Sequence, residues 1–314
     1  VGFVTLVAGA ELMVRGAVDL ALRARISPLV IGLTVVSMGT SAPELLVSLV
    51  SAVHGNSAIS IGNVVVSNIV NISFILGVSI LVFPIEVDRD ARRIHWPVMM
   101  GASLLFWWLF MDDLIAAWEG LLMLGLMVVY VWWMVWSSRR STGVDAVAAP
   151  KLAWWKAAAL LAFGILCLTF GADWFVAGGV AIAAAAGVSE QLIGVTIVAV
   201  GTSMPELITS MVAAFRKQPD ISLGNLIGSN VFNLLGILGV TAAVHPIASD
   251  HAAFRIDLMA MALVAVLLYP LMRFGSRMGR WQGAVLVVAY AAFFSVALLI
   301  PLVTVPFMLT ARMR

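Results

Sequence analysis

Gly39-Thr40-Ser41-Ala42-Pro43-Glu44 returns, 162 residues further along the chain, as Gly201-Thr202-Ser203-Met204-Pro205-Glu206. The same offset places Gly62-Asn63 on Gly224-Asn225, Ser67-Asn68 on Ser229-Asn230, Asn71 on Asn233 and Pro84 on Pro246. Without a gap, residues 9–84 and 171–246 share about 34 identities, far more than two unrelated apolar segments would. Each copy sets a carboxylate and a proline inside sequence that is otherwise soluble in lipid. An ionisable residue at that depth marks an ion pathway, and its duplication points to a transporter built from two copies of one unit.

The surrounding composition agrees. With 62% hydrophobic and 11% charged residues, and a mean hydropathy of +1.08, the chain reads as a polytopic membrane protein. Ten stretches of spanning length are expected, at about 1–22, 28–53, 57–82, 95–111, 114–136, 152–174, 190–215, 219–245, 252–272 and 281–308. The predicted fold is therefore all-α, with ten transmembrane helices. No remaining stretch is long enough for a soluble domain. Residues 1–137 form the first five-helix unit, 138–151 a polar linker, and 152–314 the second unit. The first span is the repeat mate of residues in mid-chain, which argues against a cleavable signal peptide. The start at Val1, without methionine, suggests that a few residues precede it. The single Cys167 rules out an intramolecular disulfide and a cysteine-based metal site, and reads as a small helix residue.

Charge sets the orientation. Fourteen of the 18 Lys and Arg fall in alternate loops: Arg23 and Arg25; Arg89, Arg92 and Arg93; Arg139, Arg140, Lys151 and Lys156; Arg216 and Lys217; Arg273, Arg277 and Arg280. The positive-inside rule puts the linker in the cytoplasm and both termini outside, on the periplasmic or extracellular side of a cell (inner) membrane. Two homologous units of five spans each, an odd number, must then face opposite ways across the bilayer. This is an inverted repeat, the architecture of secondary transporters.

Within the second span, Ser37, Ser41, Glu44 and Ser48 recur at spacings of four, three and four, and share one helical face. Pro43 donates no N–H and clashes with the Gly39 carbonyl, so the helix should break there and free carbonyls near residues 37–40. The seventh span repeats this with Ala199, Ser203, Glu206 and Ser210 around Pro205. Asn63, Ser67 and Asn71, and their mates Asn225, Ser229 and Asn233, form ladders on the third and eighth spans. With Thr40 and Thr202, the repeats together supply two carboxylates, hydroxyls, carboxamides and carbonyls. All are oxygen donors, which suit hard cations such as Ca2+ and Na+. Two negative charges match one divalent ion or several monovalent ions in alternation, the mutually exclusive occupancy an antiporter needs. The alternative for the ladders is helix–helix glue, above all at Ser48, Ser210, Asn68 and Asn230. Glu11 and Asp173, in matching Gly-Ala-acid segments, are expected to serve structure, orienting helix ends, with the lining of an access path as the alternative.

The paired Gly-Thr-Ser-x-Pro-Glu motifs, each followed by Gly-Asn and Ser-Asn-x-x-Asn, resemble the alpha repeats of sodium/calcium exchangers of the cation/calcium antiporter superfamily, above all its prokaryotic members. The resemblance implies ten helices, with helices 2, 3, 7 and 8 around four cation sites and helices 1 and 6 sliding across them. By resemblance, Glu44 and Glu206 would be shared ligands of Ca2+ and Na+, and Thr40 and Thr202 would add carbonyls to the Ca2+ site. Ser41, Ser67, Ser203 and Ser229, with the carbonyls of Ser37 and Ala199, would complete Na+ sites, and Asn71 and Asn233 would hold the centre. Some relatives, including potassium-dependent exchangers, carry Asp where this chain has Asn233, which argues against potassium co-transport. Proton-coupled relatives typically read Gly-Asn-x-x-Glu at the first motif, unlike this chain. The short linker leaves no room for the large cytoplasmic regulatory domain of animal exchangers.

The sequence thus predicts a Ca2+/Na+ antiporter and not an enzyme, without cofactor, nucleic-acid partner or obligate protein partner, its partners being the two ions and the bilayer. The same fold exchanging Ca2+ or another cation for H+ is the nearest rival, and a cation channel is the rival of another class. The Trp residues, such as Trp96, Trp107, Trp108, Trp132, Trp133 and Trp136, read as interfacial and lipid-facing. His54, His95, His245 and His251 read as loop polarity, Asp112 and Asp113 as a solvated turn, and Arg139 and Arg140 as topology determinants. No P-loop of the ATP-driven kind is present in the sequence.

Overall fold

A computed structural model describes residues 1–141, 150–187, 199–274 and 277–311. Helix α1 (Gly2–Ala24) is followed by α2 (Pro28–Thr40) and α3 (Ala42–Val53), which meet at a 48° bend. Then come α4 (Ser57–Val82), α5 (Ala91–Asp112), α6 (Ala117–Ser141) and α7 (Trp154–Ala185). The second half continues with α8 (Ala199–Thr202), α9 (Met204–Phe215), α10 (Pro219–Val244), α11 (His251–Arg273) and α12 (Arg280–Ala311).

Among the described residues, seven helices are long and apolar enough to cross a membrane, and the bent α2–α3 pair makes an eighth. α1 has spanning length, 23 residues, but carries Glu11, Arg15, Asp19 and Arg23. The expected span at 190–215 begins in residues outside the described part, and its remainder is α8 and α9. Helix α6 continues through Ser141, into the expected linker at 138–151, and residues 142–149 lie outside the described part.

The fold is not purely helical. β1 (Ile85–Glu86) pairs antiparallel with β4 (Arg277–Met278), and β2 (Leu114–Ile115) with β3 (Ile247–Ala248). Ile85 faces Met278, and Leu114 faces Ala248. β1 precedes α5 and β2 follows it, so the two ribbons lie at opposite ends of that helix. β1 follows α4 and β3 follows its repeat mate α10, and each ribbon joins one half of the chain to the other. Strands of two residues give no periodicity to read: the sequence suggested loops at β1, β3 and β4, and at β2 the start of the span expected at 114–136.

α4 and α10 form the centre. Every residue of α10 from Ile221 to Ile237 is buried. The outer helices instead present one apolar face, with Trp108, Leu121, Trp132, Phe163 and Leu263 all exposed as lipid contact would require. The last helix of each half crosses to the other: α6 packs on the C-terminal part of α10, and α12 on that of α4. α1 runs along α7 as the most extensive pairing of elements. Glycine permits that approach, since a Cβ at Gly164 would lie 2.7 Å from the Gly9 carbonyl oxygen.

The reading of His95 as loop polarity is corrected. His95 is buried in the first turns of α5, and its Nδ1 lies 2.8 Å from the Tyr130 hydroxyl of α6. The basic residues before it suggested a loop, but the helix already begins at Ala91. Trp96 is also only partly lipid-facing, because its indole N–H donates to the Ala265 carbonyl at 2.7 Å.

Candidate cation-binding site

Ser41 is the joint between α2 and α3, with φ −86° and ψ 12°, and Ser203 is the matching joint between α8 and α9, with φ −90° and ψ 10°. Pro43 and Pro205 sit in the first turn beyond each joint, where a missing N–H costs a helix nothing. For the preceding helix the same proline removes a donor, so the break follows directly from sequence. Glu44 and Glu206 then fall in the first turns of α3 and α9, whose N-terminal dipoles favour negative charge. Both are 1% exposed.

The two repeats are cross-linked at these carboxylates. The Ser41 hydroxyl donates to Glu206 Oε1 at 2.8 Å, and the Ser203 hydroxyl approaches Glu44 Oε1 at 3.5 Å. The Thr40 hydroxyl donates to Asn225 Oδ1 at 3.1 Å. Two carboxamides at mate positions of the repeats brace the broken helices. Asn63 Nδ2 donates to Ser48 Oγ at 2.9 Å and to the Glu44 carbonyl at 3.1 Å, and Asn225 Nδ2 donates to Ser210 Oγ at 3.1 Å. Ser48 and Ser210 thus act as helix–helix glue, the plainer of their two readings.

α4 and α10 each carry a π-helical segment, Val70–Ile75 and Phe232–Ile237, and a third, Gly32–Val36, precedes Ser37. Such segments widen a helix by one residue per turn and occur often at functional sites. Asn71 and Asn233 each lie second in theirs. Asn233 Nδ2 donates to Asn68 Oδ1 at 3.0 Å, while Asn68 Nδ2 reaches the Asn230 carbonyl at 3.4 Å. Asn68 therefore joins α4 to α10, the helix–helix glue that was the plainer of its two readings.

Among the described residues, five buried oxygens at the expected positions meet no hydrogen-bond partner: Glu44 Oε2, Glu206 Oε2, Asn71 Oδ1, Asn233 Oδ1 and Ser229 Oγ. The hydroxyls of Ser60, Ser79, Thr209, Ser222 and Thr241 share that condition. A hydroxyl can turn to donate along its own helix, whereas carboxylate and carboxamide oxygens can only accept. Leaving one such acceptor unmet in a buried place costs about 1–3 kcal/mol, and more when it is charged. Four of them on repeat-mate pairs fit a cation as the missing partner, and their all-oxygen chemistry suits Ca2+ and Na+.

The remaining expected residues are placed as follows. Ser67 is buried on α4 one turn before Asn71, and Ser229 likewise before Asn233. Thr202 is half-buried at the end of α8, and Ala199 opens that helix. The Ser37 hydroxyl turns back to the Leu33 and Thr34 carbonyls, both at 3.0 Å. The Ser37 carbonyl accepts from the Ser41 N–H at 3.0 Å, so it is occupied in this conformation, and at 3.2 Å it competes with Asn225 for the one Thr40 hydroxyl proton. Glu11 has the structural role expected of it: it pairs with Arg15 and Arg216. Its mate Asp173 is exposed.

Broken helices carrying buried carboxylates inside an apolar bundle are the features of a membrane protein that handles cations. The chain belongs to the sodium/calcium exchanger protein family, which it matches over residues 1–136 and 156–299. It is 36% identical to CaxA of Alkalimonas amylolytica over 93% of this chain and 95% of that protein. It is 29% identical to the sodium/calcium exchanger MaX1 of Methanosarcina acetivorans, over 94% of this chain and 96% of that one. A solved structure of the sodium-calcium exchanger NCX_Mj, soaked with Na+ and Sr2+, superimposes with a TM-score of 0.81 at 31% identity, covering 94% of this chain and 95% of that one. The family is one of ion exchangers and not of enzymes, and its members span the membrane several times.

Proposed function

We propose that this chain is a secondary antiporter that exchanges Ca2+ for Na+ by alternating access, in the direction of Ca2+ extrusion from the cytoplasm. The observation that carries the reading is the set of unpartnered buried acceptors on Glu44, Glu206, Asn71 and Asn233. Glu44 and Glu206 serve both ions in turn. The carbonyls of Thr40 and Thr202 complete the Ca2+ position, and Ser41, Ser67, Ser203 and Ser229, with the carbonyls of Ser37 and Ala199, serve Na+. Two carboxylates balance one Ca2+, and its departure leaves charges that only replacement cations can neutralise. That dependence is the coupling.

The architecture in this reading is ten spans in two units of opposite sense, residues 1–137 and 152–314, with both termini outside. The ribbons support it. They follow the repeat mates α4 and α10, yet lie at opposite ends of α5, as they would if the two units were inverted. The α1–α7 pair, joined through small residues, is the element that moves across the site. Ca2+ uptake into vesicles under an imposed Na+ gradient, at clamped pH, tests the exchange. Uptake driven by a pH gradient and indifferent to Na+ would assign the fold to proton coupling, and currents far above carrier turnover would assign it to a channel.

A further inference from the structure

Glu11 on α1 receives Arg216, which lies just beyond α9, in a bidentate fork. Arg216 Nε donates to Glu11 Oε2 at 2.8 Å, and Nη2 donates to Oε1. Arg15, one turn later on α1, bonds the same Oε1. Paired N–H donors on both carboxylate oxygens fix orientation as well as distance. α1 is tied in turn to the start of α7, because Asp19 accepts the N–H groups of Lys151 at 2.7 Å and Leu152 at 3.1 Å. The fork therefore bonds the α1–α7 pair to the helix whose first turn carries Glu206.

The link is one-sided. The repeat offset maps Glu11 onto Asp173 and Arg216 onto His54. Those mates do not meet: Asp173 is exposed, and His54 Nδ1 lies 2.8 Å from the Val50 carbonyl of its own helix. Acid stands over acid and base over base, yet only one of the two positions closes.

We propose that Glu11 and Arg216 form a one-sided latch that biases the access equilibrium toward the conformation seen here. The inference rests on the alternating-access reading above. A shift of α1 along α9 by one helical turn, about 5.4 Å, carries the two groups out of hydrogen-bond reach. The fork then exists in one access state only, and a contact present in one state shifts the equilibrium by its own free energy.

The test is a double-mutant cycle with Glu11→Gln, Arg216→Gln and both together. In proteoliposomes of each orientation, each single variant should change the ratio of Ca2+ affinities on the two faces about fivefold, in the same direction. The double variant should add nothing further, and Asp173→Asn should leave the ratio in place. Ratios within about twofold of the unmodified protein, opposite shifts or additive singles would overturn the latch. Hydrogen exchange of the purified protein gives a readout that needs no transport. Both single variants should open the same peptides of α1 and α9; different peptides would count against the latch. Loss of Na+-dependent exchange in the unmodified protein would strike the exchange reading alone, since the latch would still be judged by hydrogen exchange.

Discussion

Ser41→Ala and Ser203→Ala remove the same group from mate positions, but the structure makes them unequal. Ser41 donates to Glu206 at 2.8 Å, within the ordinary range for a hydroxyl donor and a carboxylate. Ser203 stands 3.5 Å from Glu44, at the limit where a hydrogen bond ceases to count. A hydrogen bond to a charged group contributes about 1.5–3 kcal/mol, so Ser41→Ala should cost that much where the carboxylate is ionised. Ser203→Ala should cost less than about 1 kcal/mol. A cycle combining Ser41→Ala with Glu206→Gln isolates the pair, because the amide still accepts from Ser41 but carries no charge. The assay is thermal unfolding in detergent, in choline buffer with Ca2+ chelated, so that no transported cation masks the protein's own bonds. Ser41→Ala should melt several degrees below Ser203→Ala, and most of that gap should close in the Glu206→Gln background. Equal destabilisation by the two serines, or a larger effect at Ser203, would mean that Ser41 holds Glu206 no more strongly than Ser203 holds Glu44.

Asn233→Asp places a third carboxylate at the centre and removes the 3.0 Å amide bond to Asn68. It should make Ca2+ flux more dependent on K+ or pH than in the unmodified protein, read at a fixed Na+ gradient, and should destabilise by about 1–3 kcal/mol. Gly120→Ala should loosen α6 from α10, since the new Cβ would lie 2.6 Å from the Ala243 nitrogen; overpacking of this kind costs about 1–3 kcal/mol, and a thermal melt checks it. At the β2–β3 end, the backbone N–H and ring of His251 hold the Asp113 carboxyl below the usual aspartate range. A lowered folded value means that this contact is fully formed above the unfolded pKa, about 4, and is lost as pH falls through the folded one. Amides of residues 248–252 should therefore exchange faster only in that acid window, and Asp113→Asn should abolish the pH dependence.

Much of the site was legible because its chemistry breaks a rule that membrane sequence otherwise keeps. Glu44 and Pro43 are costly in a span, and their return at Glu206 and Pro205 located both joints and both carboxylates. The helices at 57–82 and 219–245 were readable from uninterrupted apolar length and appear as Ser57–Val82 and Pro219–Val244. What escaped depends on contacts between distant segments. The π-helical turns around Asn71 and Asn233 have no local composition to mark them. The bridge from Asn68 to Asn233 needs α4 and α10 side by side, and His95 is buried only because Tyr130 arrives from α6. The strand ribbons are two residues long, too short for alternation to show. Glu11 could be read as a helix-orienting acid, but its partner Arg216 lies 205 positions away and looked like an ordinary cytoplasmic anchor.

If Glu44 and Glu206 hold both transported ions, Na+-driven Ca2+ flux needs both carboxylates. The most direct measurement is 45Ca2+ uptake into proteoliposomes under an outward Na+ gradient, at clamped pH, for the unmodified protein, Glu44→Gln and Glu206→Gln. Uptake should be Na+-dependent in the first and lost in both variants, with each variant still folded by its thermal melt. Substantial Na+-driven uptake in either variant would contradict that requirement.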